Sequence, residues 1–218
     1  AALTPLIYEN HQRPETPREI ATLFGWFLAF AFPACLFLSV FAREAILVLA
    51  KPAYAEAASL VIYLAPAMLM SQMYVFAPGV VIAKKTYWQF WLTLVSATVS
   101  VVANLALVPL AGVTGAAIAT LASALVFFLG WVCISQRLYP VPYAWSSVFL
   151  AMLCFAGLSS LGVWIDASEV PLWPSIIAKA LLLLAMVVAV VALKLLPVAD
   201  LRKLVSSLTG RLRPSSGK

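Results

Sequence analysis

Charged side chains are scarce in this sequence. Lys, Arg, Asp and Glu together make up 10% of its 218 residues, whereas 64% of the residues are hydrophobic. A soluble domain of this length needs a charged surface, but a bilayer solvates apolar side chains around the whole circumference of a helix. The composition therefore excludes an ordinary soluble domain and indicates an integral membrane protein.

Side chains that perform acid-base chemistry or bind metals are scarcer still. His11 is the only histidine, Asp166 and Asp200 are the only aspartates, and the glutamates are scattered singly. Paired carboxylates, metal-ligand spacing and a nucleophile beside a base cannot be assembled from so few groups. We therefore predict that the protein is not an enzyme and has neither a metal site nor a cofactor.

The positions of the cysteines and of the basic residues further restrict the class of protein. The three cysteines, Cys35, Cys133 and Cys154, all lie in apolar runs and are predicted to be buried free thiols. The 14 Lys and Arg residues exceed the 8 Asp and Glu residues, but they lie between the apolar runs and in the C-terminal tail. This arrangement is typical of membrane orientation, so we expect no nucleic-acid partner.

Six apolar windows are long enough to cross a bilayer core, which takes roughly 20 helical residues. They cover residues 20–42, 57–83, 88–108, 114–135, 144–164 and 175–196. A Pro and two Gly in residues 109–115 should break the long apolar stretch that contains the third and fourth windows. Pro33, Pro66 and Pro78 lie within spans and should bend them.

These windows predict an all-α polytopic membrane protein with six transmembrane helices in one bundle. Residues 1–19 would form a cytoplasmic N-terminal segment and residues 197–218 a basic amphipathic tail at the cytoplasmic surface. With the N-terminus inside, eleven of the 14 Lys and Arg residues lie on the cytoplasmic side. The sequence thus predicts that both termini are cytoplasmic, and the absence of a leader before the first window suggests a missing N-terminal part.

A few polar residues within the spans are candidates for a substrate cavity. Ser96, Ser100 and Asn104 share one face of the third span, and Gln72 lies in the second. They could line a hydrated cavity or form hydrogen bonds between helices. Lys179 is a basic residue near the outer end of the sixth span, where it is either functional or able to extend its stem to the headgroups. We favour the second interpretation of Lys179.

Small residues in the fourth span predict close helix packing. The candidates for this packing surface are Gly112, Gly115, Ala116 and Thr120.

Three segments resemble the C-terminal half of polysaccharide-biosynthesis flippases, which belong to the superfamily of multidrug, oligosaccharidyl-lipid and polysaccharide exporters. Residues 101–120, VVANLALVPLAGVTGAAIAT, resemble the family's Asn-containing helix, its Pro and Gly turn and its following Gly-Ala-Ala helix. Residues 50–57, AKPAYAEA, look like its short outer loop, and Lys84-Lys85-Thr86 fits the same layout.

The resemblance implies a transporter of two helical bundles that moves an isoprenoid pyrophosphate-linked sugar across the bacterial inner membrane for cell-surface polysaccharide such as O-antigen. The expected partners are the lipid-linked sugar, the bilayer and either a missing N-terminal half or a second copy of the chain. A drug or metabolite antiporter is an alternative, although the six windows lack Asp and Glu. A non-transporting scaffold of a glycan-assembly complex is another.

Overall fold

The computed structural model describes residues 14–49, 57–168 and 171–195, and every regular element within these ranges is helical. Residues 1–13, residues 50–56 with the predicted outer loop, residues 169–170 and residues 196–218 with the predicted amphipathic tail lie outside them. The α-helices are α1 Thr16–Val40, α2 Ala42–Leu49, α3 Val61–Gln72, α4 Gly79–Ile82, α5 Tyr87–Leu138, α6 Trp145–Ala167 and α7 Leu172–Ala192. Their arrangement confirms the prediction of an all-α membrane bundle.

The helical segment α5 folds back on itself and supplies two spans. Gly112 has φ 56° and ψ −132°, a conformation that interrupts the helix and that residues with a side chain rarely adopt. A Cβ placed on Gly115 would lie 2.3 Å from the Leu107 carbonyl oxygen, and one on Gly130 would lie 2.5 Å from a Leu92 methyl group. These contacts pair the two halves in antiparallel order. Residues 87–111 are the first arm of α5 and residues 113–138 are the second arm.

The second predicted span is broken into several short helices. Residues 57–60 and Met73–Phe76 are 3₁₀-helical turns that flank α3, and α4 follows after Ala77 and Pro78. Ala77 has φ −116° and ψ 74°, outside the helical range. The break agrees with the bend expected at Pro78, whereas α1 continues as a helix through Pro33.

The core lies between α1, α3, the second arm of α5, α6 and α7. Among its most buried residues are Leu36 of α1, Trp131 of the second arm and Met186 of α7. No residue of the first arm is buried, so this span packs along the edge of the bundle and leaves most of its apolar side chains at the surface. Apolar residues that are exposed in this way belong in contact with lipid.

The three cysteines are free, as predicted, but they differ in burial. Cys35 is buried, Cys154 is half-buried and Cys133 is exposed. The prediction of three buried thiols is therefore wrong for Cys133, because an apolar membrane helix has a face toward lipid as well as one toward the bundle.

Candidate functional site

An apolar cavity of about 270 Å³ opens between α1, α3, the second arm of α5 and α6. Leu28 and Phe32 of α1 form one wall, and Met152 and Phe155 of α6 form another. Among the described residues that line it, hydroxyl or thiol groups are carried only by Cys35, Tyr63 and Ser160, and none of the lining residues is charged. The cavity can therefore accept a hydrocarbon chain, but it offers little to replace the water around a sugar or a phosphate.

The break after α3 lies beside the second arm of α5, and side chains satisfy its backbone groups. Trp131 Nε1 donates a hydrogen bond to the Ala77 carbonyl oxygen at 2.8 Å. The Gly79 amide donates to Ser135 Oγ at 2.7 Å. Trp131 and Ser135 are 1% and 2% exposed. A non-helical backbone is tolerated in a membrane only where such partners exist, so these two side chains make the break compatible with the bilayer.

The loop between α5 and α6 adds a third partner to the break. The Tyr143 hydroxyl donates to the carbonyl oxygen of Phe76, the last residue of the 3₁₀ turn. Burial raises the pKa of the Tyr143 phenol, so the group stays protonated and able to donate at neutral pH. Tyr143 also packs edge-on against Phe24 of α1 with ring centroids 4.9 Å apart. Through Tyr143, the break after α3 is connected to α1 and to the loop between α5 and α6.

Three charged residues meet at the end of the bundle where α1 and α6 end and α7 begins. Lys179 of α7 donates to an Oε1 of Glu44, which lies on the short helix α2. It also lies 2.6 Å from an Oδ1 of Asp166, near the end of α6. The Lys179 side chain is 0% exposed, whereas those of Glu44 and Asp166 are 28% and 24% exposed. We call these three residues the ion triad.

Arg43 and Phe41 also contact residues of the ion triad. The Arg43 guanidinium donates to the Asp166 carbonyl oxygen at 2.9 Å, which joins α2 to the end of α6 a second time. The Lys179 ammonium lies 5.9 Å from the centre of the Phe41 ring, within the range of a cation–π interaction. The second carboxylate oxygen of Glu44 is buried without a hydrogen-bond partner among the described residues.

The interpretation that Lys179 extends to the headgroups is wrong. Ser175, Lys179, Met186 and Val190 are all buried and follow helical spacing along α7. Lys179 therefore lies on the face of α7 that turns toward the bundle, and its ammonium is enclosed by protein. The predicted topology places its partners Glu44 and Asp166 on the same side of the membrane as Lys179. Nothing in the sequence indicated that these three residues pair, because Glu44 is 135 positions from Lys179.

The other cavity candidates lie apart from the cavity. Gln72 is exposed at the end of α3. Ser96, Ser100 and Asn104 lie on the half-buried face of the first arm that turns toward the second arm. Ser96 Oγ donates to the Thr93 carbonyl oxygen at 3.0 Å, and the Asn104 amide donates to the Ser100 carbonyl oxygen at 2.8 Å. The Ser96 hydroxyl and the Asn104 amide nitrogen thus donate within their own helix, and none of the five predicted candidates is among the residues that line the cavity.

The small residues of the fourth span have different surroundings. Gly115 is buried against the first arm. Gly112 is exposed in the turn and has no atom near the position of a Cβ. Ala116 is half-buried, and Thr120 is exposed with its hydroxyl bonded to the Ala116 carbonyl oxygen.

The sequence interpretation missed Trp131 and Ser135 as partners of the helix break. Both lie more than 50 positions from the backbone groups that they bond, and nothing in the sequence pattern indicated this role. Comparison of the chain with protein-family models, with curated proteins and with solved structures finds no match.

Proposed function

We propose that this chain is one bundle of a lipid-linked oligosaccharide flippase, which moves an isoprenoid pyrophosphate-linked sugar across the bacterial inner membrane. The other bundle would come from an N-terminal half or from a second copy of the chain. The resemblance of residues 101–120 to such flippases suggests the family. The apolar cavity suggests the part of the substrate that this bundle contacts.

The chemistry of the cavity carries the proposal. A lipid-linked sugar has a long hydrocarbon tail, an anionic pyrophosphate and a polar glycan, each of which needs a different environment. The cavity between α1 and α6 is apolar and without charge, so it suits a segment of the tail. We infer that this bundle holds part of the tail while the headgroup crosses elsewhere in the transporter.

The second bundle must then supply the polar environment of the headgroup. Moving a pyrophosphate through hydrocarbon without compensation is prohibitively costly, and a hydrated cavity lined by positive groups replaces its water. The described part of this chain has its buried basic group, Lys179, already paired with two carboxylates. We therefore expect cations of the partner bundle to bind the pyrophosphate.

The proposal is tested by photocrosslinking in nanodiscs. The probe is an isoprenoid pyrophosphate sugar that carries a diazirine in its tail. Crosslinks should concentrate on the peptides of α1, α3 and α6 that line the cavity. Ala156→Phe should reduce them several-fold because Ala156 lines the cavity, whereas Ala185→Phe should not because Ala185 is exposed on α7. Crosslinks spread evenly over the lipid-facing surface would overturn the proposal.

If the other bundle comes from an N-terminal half, the chain alone should insert into membranes without translocating the sugar. Alternating access by two bundles requires a partner that rocks against this one around a shared site. Proteoliposomes that contain only residues 1–218 and a fluorescent isoprenoid pyrophosphate sugar should therefore show no transport above that of empty liposomes. Transport would mean that a second copy supplies the other bundle and that the chain by itself is a complete transporter.

A further inference from the structure

The ion triad connects three helices, α2, α6 and α7, of which α2 is far from the other two in sequence. Glu44 lies on α2, directly after α1, Asp166 lies near the end of α6, and Lys179 lies in α7. Lys179 contacts both carboxylates at once. Because each partner lies on a different element, the triad holds the ends of α1 and α6 against α7.

Burying the charges of the triad costs free energy that apolar packing between the helices would not. A buried ammonium loses its hydration, and a buried ion pair is often no more stabilising than apolar side chains of the same size. The buried face of α7 already has Met186 and Val190 for apolar packing. One oxygen of Glu44 is buried without a hydrogen bond in the described structure. A charged contact that is costly to bury and incompletely bonded is suited to being broken and remade.

Two of the helices whose ends the triad holds together, α1 and α6, also form walls of the apolar cavity. Leu28, Phe32 and Cys35 of α1 and Phe155 and Ser160 of α6 line it. Between this wall and the triad, α1 and α6 touch directly: a Cβ on Gly162 would lie 2.8 Å from Val40 Cγ2 and 3.5 Å from Val40 Cβ. Separation of α1 from α6 at the triad would therefore open the cavity at this end.

We propose that the ion triad is a latch that closes the cavity at this end of the bundle. When Lys179 is bound to Glu44 and Asp166, α1 and α6 are held in contact and Cys35 on the cavity wall is shielded from water. When the ion pairs break, the ends of α1 and α6 separate and water reaches the cavity. The inference rests on the proposed function only in taking this opening as a step of transport.

Thiol labelling of Cys35 tests the latch without any substrate. In a background with Cys133→Ser and Cys154→Ser, Cys35 is the remaining thiol and is 8% exposed. The protein is placed in nanodiscs, where both faces meet water, and treated with a membrane-impermeant maleimide. The double variant E44Q/D166N keeps the size of both side chains and removes their charges. It should increase the labelling rate about tenfold or more, because it removes both charge-assisted contacts of Lys179.

A disulfide supplies the matched control. The 3.5 Å between Val40 Cβ and the position of a Gly162 Cβ falls in the range of disulfide-linked residues, roughly 3.5–4.5 Å. Val40→Cys with Gly162→Cys, oxidised in the E44Q/D166N background, should return Cys35 labelling to the slow rate, and reduction should restore the fast rate. The label is counted on the Cys35 peptide, because reduction also frees the two introduced thiols. The single variant Glu44→Gln, which keeps the Asp166 ion pair, should give an intermediate rate and serves if the double variant does not fold.

Two results would overturn the latch. Unchanged Cys35 labelling in the folded variants would mean that the triad only stabilises the bundle. Faster labelling that the oxidised disulfide does not reverse would mean that the bundle has loosened generally. Either result leaves the crosslinking pattern in the cavity to decide the proposed function, because the labelling requires no transport.

Discussion

Gly79→Ala should be among the most destabilising small substitutions in this protein. Gly79 begins α4, directly after the break in the second span, and its amide donates to Ser135 Oγ. A Cβ at this position would lie 2.2 Å from the Ser135 carbonyl oxygen and 2.7 Å from its Oγ. The nearest atom belongs to the backbone of the second arm of α5, so no side-chain rotation can relieve the overlap.

The cost follows from the movement that relieves this overlap. The second arm must withdraw by about 1 Å, and overpacking of this kind costs roughly 1–3 kcal/mol. The withdrawal also stretches the bond from Gly79 to Ser135 and the bond from Trp131 to the Ala77 carbonyl, each of which is worth about 1 kcal/mol. We therefore expect a loss of about 3–5 kcal/mol in the free energy of unfolding.

The measurement is thermal unfolding in detergent or nanodiscs, compared with the matched variant Gly157→Ala. Gly157 is an exposed helical residue of α6 with nothing within 4 Å of a Cβ. Its replacement should stabilise the helix by about 0.5–1 kcal/mol. Gly79→Ala should lower the melting temperature by on the order of 10 °C. Equal melting temperatures for the two variants would refute the argument that the break is tightly packed against the second arm.

Three further predictions concern the hairpin, the loop and the topology. Gly115→Leu should cost on the order of 1–3 kcal/mol of stability because the Leu107 backbone leaves no room for a side chain, whereas Thr120→Leu, at an exposed position, should be tolerated in the same unfolding assay. Tyr143→Phe should cost about 1–3 kcal/mol because it leaves the carbonyl of Phe76 without this donor; a melting temperature equal to that of the parent would count against the hydrogen bond. Reporter domains should be cytoplasmic at three fusion points and external at two, and an external reporter at the C-terminus would reverse the predicted orientation. The cytoplasmic fusion points are Lys85, Arg137 and Lys218, and the external ones are Lys51 and Asp166.

The membrane spans could be predicted from the sequence because lipid imposes a simple requirement. Each span must satisfy its own backbone and present apolar side chains over the thickness of the bilayer. Hydropathy along the chain is enough to find such segments. The turn between the third and fourth spans was predictable as well, because Gly112 can adopt the positive φ that ends one arm.

Which face of a span turns inward was harder to predict. In water the inner face of a helix is apolar and the outer face polar, but both faces are apolar in a membrane. Sequence could therefore place Cys133 in a span without showing that it is exposed. The same ambiguity led to Lys179 being assigned to the headgroups when its face of α7 is buried.

The sequence by itself determined that this is a helical membrane protein and which of its segments are long and apolar enough to cross a bilayer, because these properties depend on residues close together in sequence. Only the tertiary structure decided which distant side chains meet. Trp131 and Ser135 lie more than 50 positions from the backbone groups they satisfy, and Lys179 lies 135 positions from Glu44. Such partnerships depend on how the helices rotate and pack against one another, and that arrangement is set jointly by all the contacts of the bundle.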